Sequence, residues 1–230
     1  MALLSTGPGP FRCLVLGAGA LTALVATGIA FAALLGVTSE SVTVHTAASN
    51  ISPTICTLSA ADADSYVSSG STSSNFGTAT TLNVQASGIL GSDMRTFVEF
   101  SLSSCSIPAS SLVTAASLEL YLYAAPTAGR TYDAHRVTAS WTETGITWSN
   151  QPGAAGAATS SVSTGTTDNV RLTWDVTSDV QAFVDGTANN GWRIRDQDET
   201  PLLGTQLGQF RSAEHGTASQ RPMLEITYYP

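Results

Sequence analysis

Arg193 and Arg195 flank Ile194 and, in an extended segment, point the same way. Two parallel guanidiniums can hold carboxylates through paired hydrogen bonds, which is what a uronate polymer asks of a binding surface. The acids that follow, Asp196, Asp198 and Glu199, raise the competing expectation of a solvated charge network at a loop. Tyr121 and Tyr123 share a face with Glu119, opposite Leu118, Leu120 and Leu122. They make a platform for the C–H surfaces of sugar rings unless loops cover that face. Trp148 and Trp192 alternate with polar residues and are expected in the core, whereas Trp141 stays a candidate ligand contact.

Asp62, Asp64, Asn75 and Glu214 supply oxygens of the kind a structural Ca²⁺ takes, with the run Asp196 to Glu199 as a second group. Neither has the spacing of an EF-hand loop, and plain surface acids and turn caps are the alternative. No cofactor is required. The sequence holds no catalytic constellation: His135 and His215 stand apart, and no nucleophile elbow, His-Glu-x-x-His or phosphate loop occurs. Glu99 and Glu119 are carboxylates on expected strands, but a glycosidase needs two at a defined separation in a cleft. These residues point to a binder and not to an enzyme.

The elements that must carry them are mostly strands. Val98, Phe100 and Leu102 alternate with Phe97, Glu99 and Ser101, and the leucines of 118–122 alternate with Glu119, Tyr121 and Tyr123. Further strands are expected at 65–67, 82–84, 136–138, 170–174, 192–195, 209–212 and 224–228. One segment departs from the period of two. Val176, Val180, Phe183 and Val184 lie on one face of a short helix, which closes one end of a sandwich. Asp175 or Thr177 can cap its start, and Asp179 suits its first turn. Gly186 and the Asn189-Asn190-Gly191 run end it and turn the chain.

The 230 residues carry 11% charged side chains and a formal net charge of −8, with no lysine among the basic residues. An acidic domain lacks the electrostatic footprint for nucleic acid or anionic lipid, although a local arginine cluster can still take an acidic ligand. Residues 13–37 are uncharged and apolar, long enough to span a bilayer as a hydrophobic helix. They read either as a signal peptide, with Ala30-Phe31-Ala32 or Thr46-Ala47-Ala48 as the cleavage site, or as an uncleaved membrane anchor. Either reading exports the remainder, and the membrane is met only through this segment. In an oxidising compartment Cys56 and Cys105 are expected to pair; two free thiols are the alternative.

Several segments, taken in order, resemble the DNRLRE domain, which is also classed among the carbohydrate-binding modules (family 96). Ala61 to Val84 is similar to the family's opening strand and Asn-aromatic-Gly turn, and Arg95 to Leu102 to its Arg-aromatic-Val-x-Phe strand. Val113 to Tyr123 resembles the strand that follows. WTETGITWSNQP (141–152), WDVTSDVQAFVDG (174–186) and NNGWRI (189–194) resemble the central signatures, and Phe210 to Tyr228 the ending. The resemblance implies a jelly-roll-like β-sandwich that is non-catalytic, secreted or at the cell surface, and in some members binds uronic-acid polymers such as alginate.

The expectations are therefore an all-β chain: an antiparallel jelly-roll-like β-sandwich with one short helix at 58–230, a linker at 38–57, and a signal peptide or anchor at 1–37. Its expected partner is an extracellular polysaccharide. A structural or adhesive surface protein without a specific glycan is the alternative.

Overall fold

The computed structural model describes residues 52–87, 92–199 and 206–230. The hydrophobic segment 1–37 and most of the linker lie outside the described residues. Among those described, no helix is long and apolar enough to cross a membrane. The chain is mostly β: β1 (Thr54–Leu58), β2 (Ala63–Ser68), β3 (Thr81–Ala86), β4 (Met94–Glu99), β5 (Leu112–Ala124), β6 (Thr131–Arg136), β7 (Ser160–Ser163), β8 (Val170–Asp175), β9 (Trp192–Asp196), β10 (Gln206–Arg211) and β11 (Met223–Tyr229). One α-helix, α1 (Thr177–Val184), follows β8.

All the strand pairs are antiparallel, in the order β1-β11-β5-β10-β3-β4-β9-β6-β7, with β2 added on β4 and β8 on β5. β3 and β4 pair only at Gln85 and Met94. There the sheet curls, so that β1, β11, β5, β8, β10 and β3 form one half and β2, β4, β9, β6 and β7 the other. The core lies between the halves. Leu118, Leu120, Leu122, Phe210 and Leu224 meet Val98, Phe100, Trp192 and Ile194, all of them fully buried. Side chains of this size contribute about 1.5–3 kcal/mol each when fully withdrawn from water. The two most deeply placed indoles are also satisfied as donors. Trp174 Nε1 donates to the Tyr132 carbonyl at 2.9 Å, and Trp192 Nε1 to Asp179 Oδ2 at 2.9 Å.

The period of two places Leu118 to Tyr123 on β5 as expected, but three strands lie upstream of their expected bounds. The 97–102 strand ends at Glu99, because Ser101 caps a short 3₁₀ turn at Leu102–Cys105. The 136–138 strand is β6, whose inward Tyr132 and Ala134 are too few to announce it, and the 209–212 strand is β10. β1 and β7 alternate only between half-buried and exposed positions and hold no fully buried side chain, so neither stands out in the sequence.

Helix α1 presents Val180 and Phe183 to the core. The N-cap is Val176, not Asp175 or Thr177, and no side chain caps it; the two expected residues act on either side of it. Asp175 Oδ1 accepts from Thr177 N–H at 3.0 Å and Oγ–H at 2.6 Å, which holds its carboxyl below the usual range. Thr177 Oγ1 in turn accepts from Ala116 N–H at 2.8 Å, tying the helix to β5. The exit turn needs glycine at 191. Its φ is +69°, and a Cβ there would meet the Val98 carbonyl and the Glu99 Cα.

A second, smaller apolar cluster covers the outside of β2 and β4. Val67 and Phe97 pack under Val137 and Ile146, with Trp141 and Trp148 half-buried around them. The tryptophan-rich segment 141–152 is thus a cover laid across the sheet. Of the two tryptophans expected in the core, Trp192 is fully buried there and Trp148 belongs to this cover. Cys56 and Cys105 form a disulfide that fastens β1 to the 3₁₀ turn after β4.

Candidate functional site

Tyr121 and Tyr123 lie half-buried on the outer face of β5. Arg211 of β10 sits over the Tyr123 ring, 3.7 Å from its centroid, so one ring face is already engaged by a cation. Arg171 of β8, opposite Tyr121 in register, lies 3.5 Å from Glu119 Oε2 and donates to the Ser219 carbonyl at 2.6 Å. Among the described residues Arg171 is paired with Glu119, but Arg211 has only the Tyr123 ring, and Arg171 Nη1 and Arg211 Nε are buried without a hydrogen-bond partner.

The outer face of the other half is different. Alternation about the buried Trp192, Ile194 and Asp196 turns Arg193 and Arg195 outward on β9. The register Thr96↔Ile194 places Arg95 of β4 beside them, and β6 brings His135 opposite Arg193 and Asp133 opposite Arg195. One carboxylate, Glu199, sits among the three arginines. Arg95 donates from Nε to Glu199 Oε1 at 2.8 Å and from Nη2 to Oε2 at 2.7 Å. Its Nη1 donates to Gln151 Oε1 at 3.0 Å, and its guanidinium lies 4.6 Å over the Trp148 ring. Arg195 reaches the same Oε2 from Nη1 at 3.4 Å.

His135 orients Arg195 from below. Its Nδ1 lies 2.9 Å from the Ala155 carbonyl, which can only accept, so Nδ1 carries the proton. Nε2 is then free to accept Arg195 Nε–H at 3.1 Å, and the ring is neutral. Burial holds its pKa below the ordinary 6.5, and the charges of Arg193 and Arg195 push the same way, against the Ala155 carbonyl and Asp133. Arg193 finds no hydrogen-bond partner among the described residues, and its Nε is buried. Burial, then repulsion from Arg95 and Arg195, pulls its pKa down to about 10 against the attraction of Glu199. For Glu199 burial acts upward, but the bonds from Arg95 and the surrounding arginine charges bring its carboxyl below the usual range. The second expected calcium group is largely engaged by arginines: Glu199 as above, and Asp196 by Arg130 at 2.7 and 2.8 Å.

Beside this face, Trp141 donates from Nε1 to the Asn190 carbonyl at 3.0 Å and tilts against Phe97. Its loop frames an open groove of about 430 Å³ lined by Ser140, Trp141, Thr142, Gly145, Ile146 and Asn150.

Of the four residues marked for calcium, the fold brings together Asp64 and Glu214 and adds Glu143. One carboxylate oxygen from each lies within 4.8 Å of the other two. Asp62 instead accepts from Ser101 N–H at 2.7 Å, and Asn75 donates to the carbonyls of Glu143 at 2.7 Å and Ile146 at 2.8 Å. Asp64 is 1% exposed. Its burial pushes the carboxyl up to about 8 against the Ala213 N–H bond, with repulsion from Glu214 and Glu143 and a side-chain hydrogen bond with Glu214 adding to the rise. Glu99 and Glu119, the other two acids considered, stand on opposite halves of the sheet.

Arg95, Gln151 and Glu143 carry no signal in the sequence that marks them, because each reaches its site through strand register or loop path. Register alone would find Arg95, two residues before Phe97 and in line with Arg195.

The fold is a curled antiparallel β-sheet with an apolar core between its halves and with arginines and half-buried aromatic rings on its outer faces. The chain belongs to carbohydrate-binding module family 96, whose family model matches residues 56–228. That span runs from the disulfide cysteine of β1 to Tyr228 of β11, which is the folded unit almost entire. No curated protein sequence matches the chain.

Proposed function

We propose that the chain is a non-catalytic module of the cell exterior that binds an acidic polysaccharide, a uronate polymer being the ligand class that fits. The observation that carries this is the trio Arg95, Arg193 and Arg195, three guanidiniums on adjacent strands, of which Glu199 contacts Arg95 and Arg195 while Asp133 lies opposite Arg195 in register. Such a concentration of positive charge on a chain of net charge −8 is a local exception that an acidic ligand would resolve. Arg193 has no hydrogen-bond partner among the described residues, and the half-exposed end of its guanidinium, not its buried Nε, is the part a ligand carboxylate would meet. Trp141 borders the patch and offers a flat surface of the kind sugar rings lie on, whereas one face of Trp148 is already taken by Arg95. The two tyrosines form a separate face that supports the same reading less well, since Arg211 already covers Tyr123.

Titration of the full chain with alginate, polygalacturonate, cellulose oligomers and starch separates the cases. Binding confined to the two uronates, weakening at least tenfold between 50 and 500 mM salt, is expected. Arg193→Ala and Arg195→Ala should each lower affinity about tenfold or more, as loss of a charge-assisted bond does. Binding of neutral glycans that depends on Tyr121 would move the site to the other face. Binding of none would favour a structural or adhesive role.

A further inference from the structure

We propose that Asp64, Glu143 and Glu214 form a calcium site that pins the tryptophan-rich cover to the sandwich. The three residues come from distant parts of the chain: β2, the loop 138–150, and the turn after β10. Each is held in place by its own backbone contacts. Asp64 Oδ2 accepts from Ala213 N–H at 2.8 Å, and Glu143 Oε1 accepts from Asp64 N–H at 3.0 Å. Glu214 N–H donates to Ser212 Oγ at 3.2 Å, and that buried hydroxyl donates to the Ala79 carbonyl at 2.7 Å. The loop carrying Glu143 is fixed by Asn75, and Gly77 lies so close that a Cβ there would strike the Glu143 backbone and side chain.

The observation that turns an acidic cluster into a site is Asp64 Oδ1. It is buried, no N–H of the described residues reaches it, and it belongs to a side chain withdrawn almost fully from water whose carboxyl lies within hydrogen-bonding reach of the Glu214 carboxyl. Its neighbours are two more carboxylates, Glu143 half-buried and Glu214 exposed, with no arginine paired to any of the three among the described ion pairs. A buried acid oxygen facing further acids needs a shared proton or a cation. An all-oxygen set drawn from three flexible-length carboxylates suits Ca²⁺, which accepts six to eight oxygens at varied angles and can complete its shell with water. Mg²⁺, held to near-octahedral geometry at short distances, fits such a set less well.

The test uses the full chain, stripped with EDTA and then titrated with CaCl₂ or MgCl₂ at pH 7.5, with thermal melting and tryptophan fluorescence as readouts. Millimolar CaCl₂ should raise Tm by about 5 °C or more, the scale of a ligand well above its Kd. It should also shift the fluorescence of Trp141 and Trp148, which ride on the pinned cover. Glu143→Gln and Glu214→Gln, which keep shape and hydrogen-bonding oxygens, should each lose most of the Tm shift while remaining folded without calcium. A Tm unmoved by 5 mM CaCl₂, with both glutamine variants more stable than the parent, would show a proton-sharing trio and overturn the site. An equal shift with MgCl₂ would overturn the choice of calcium. Neither readout involves a glycan, so the result stands apart from the ligand proposed above.

Discussion

Glu199 already binds two of the arginines on which the proposed uronate would sit, so its removal should separate the structural and binding roles of the arginine patch. In Glu199→Gln the shape is kept and the charge is lost. Arg95 and Glu199 have side chains 21% and 13% exposed, between the surface and interior limits. Exposed ion pairs are worth about 0–1 kcal/mol, and breaking a buried one costs about 3–5 kcal/mol. An intermediate loss of about 2 kcal/mol in folding stability is therefore expected, part of it the repulsion now unanswered among Arg95, Arg193 and Arg195. Affinity should move the other way. A uronate on the same guanidiniums would lie roughly 6 Å from Glu199, and at an effective dielectric of roughly 40 that repulsion is about 1.4 kcal/mol. Removing it predicts about tenfold tighter binding of polygalacturonate at 50 mM salt. Urea denaturation gives the first quantity and calorimetric titration the second. A variant that loses the stability but gains no affinity would refute the reasoning, because the patch would then be a hub organised around its own glutamate.

Three further perturbations test the frame behind the site. Replacing Cys56 and Cys105 by serine frees a loop with a sequence separation of 49. Chain entropy then predicts about 4 kcal/mol less stability in urea melts, and a loss under about 1 kcal/mol would mean the linkage does little. His135 is buried and neutral with its pKa held below 6.5, so the unfolded chain takes up the proton first as pH falls. Its contribution is present above pH 6.5 and is lost as pH drops through the folded-state value, so Tm should fall on going from pH 7 to 5 and less so in His135→Gln. An NMR titration of the imidazole showing a pKa at or above 6.5 would contradict the neutral ring that orients Arg195. Gly191→Ala places a Cβ against Val98 and Glu99 at a positive φ and should cost about 2 kcal/mol or more; an unchanged Tm would rule out the close approach.

Residue types and periods made part of this molecule readable. Strict alternation around Leu118 to Tyr123 and around Trp192 to Arg195 put the right side chains outward, because one face of each strand is deeply buried. Helix α1 was legible for the same reason, since Val180 and Phe183 need the core. Arg95 and His135 were not readable as partners of Arg193 and Arg195, because nothing local in a sequence states which strands lie side by side. Glu143 stayed hidden because it sits in a loop that reaches Asp64 only after crossing the outside of β2 and β4. The tryptophans of that loop pack on Phe97 of β4 and Val67 of β2, and with Val98 buried on the inner face β4 is covered on both sides, which breaks the simple rule of one wet face.

The pairing of β1 with β11 fixes how the module would bear tension. Thr54 lies beside Tyr228, so the chain arrives and leaves at neighbouring points. A pull between those points acts as a zipper, opening hydrogen bonds one at a time instead of shearing many together. The peel can pass Thr54 and Ile55 and then meets the covalent bond at Cys56. From there the load travels to Cys105 and into the turn between β4 and β5. A module held from its N-terminal side while its outer face grips a moving polymer would carry drag through that sulfur link, and the first strand would not be stripped away.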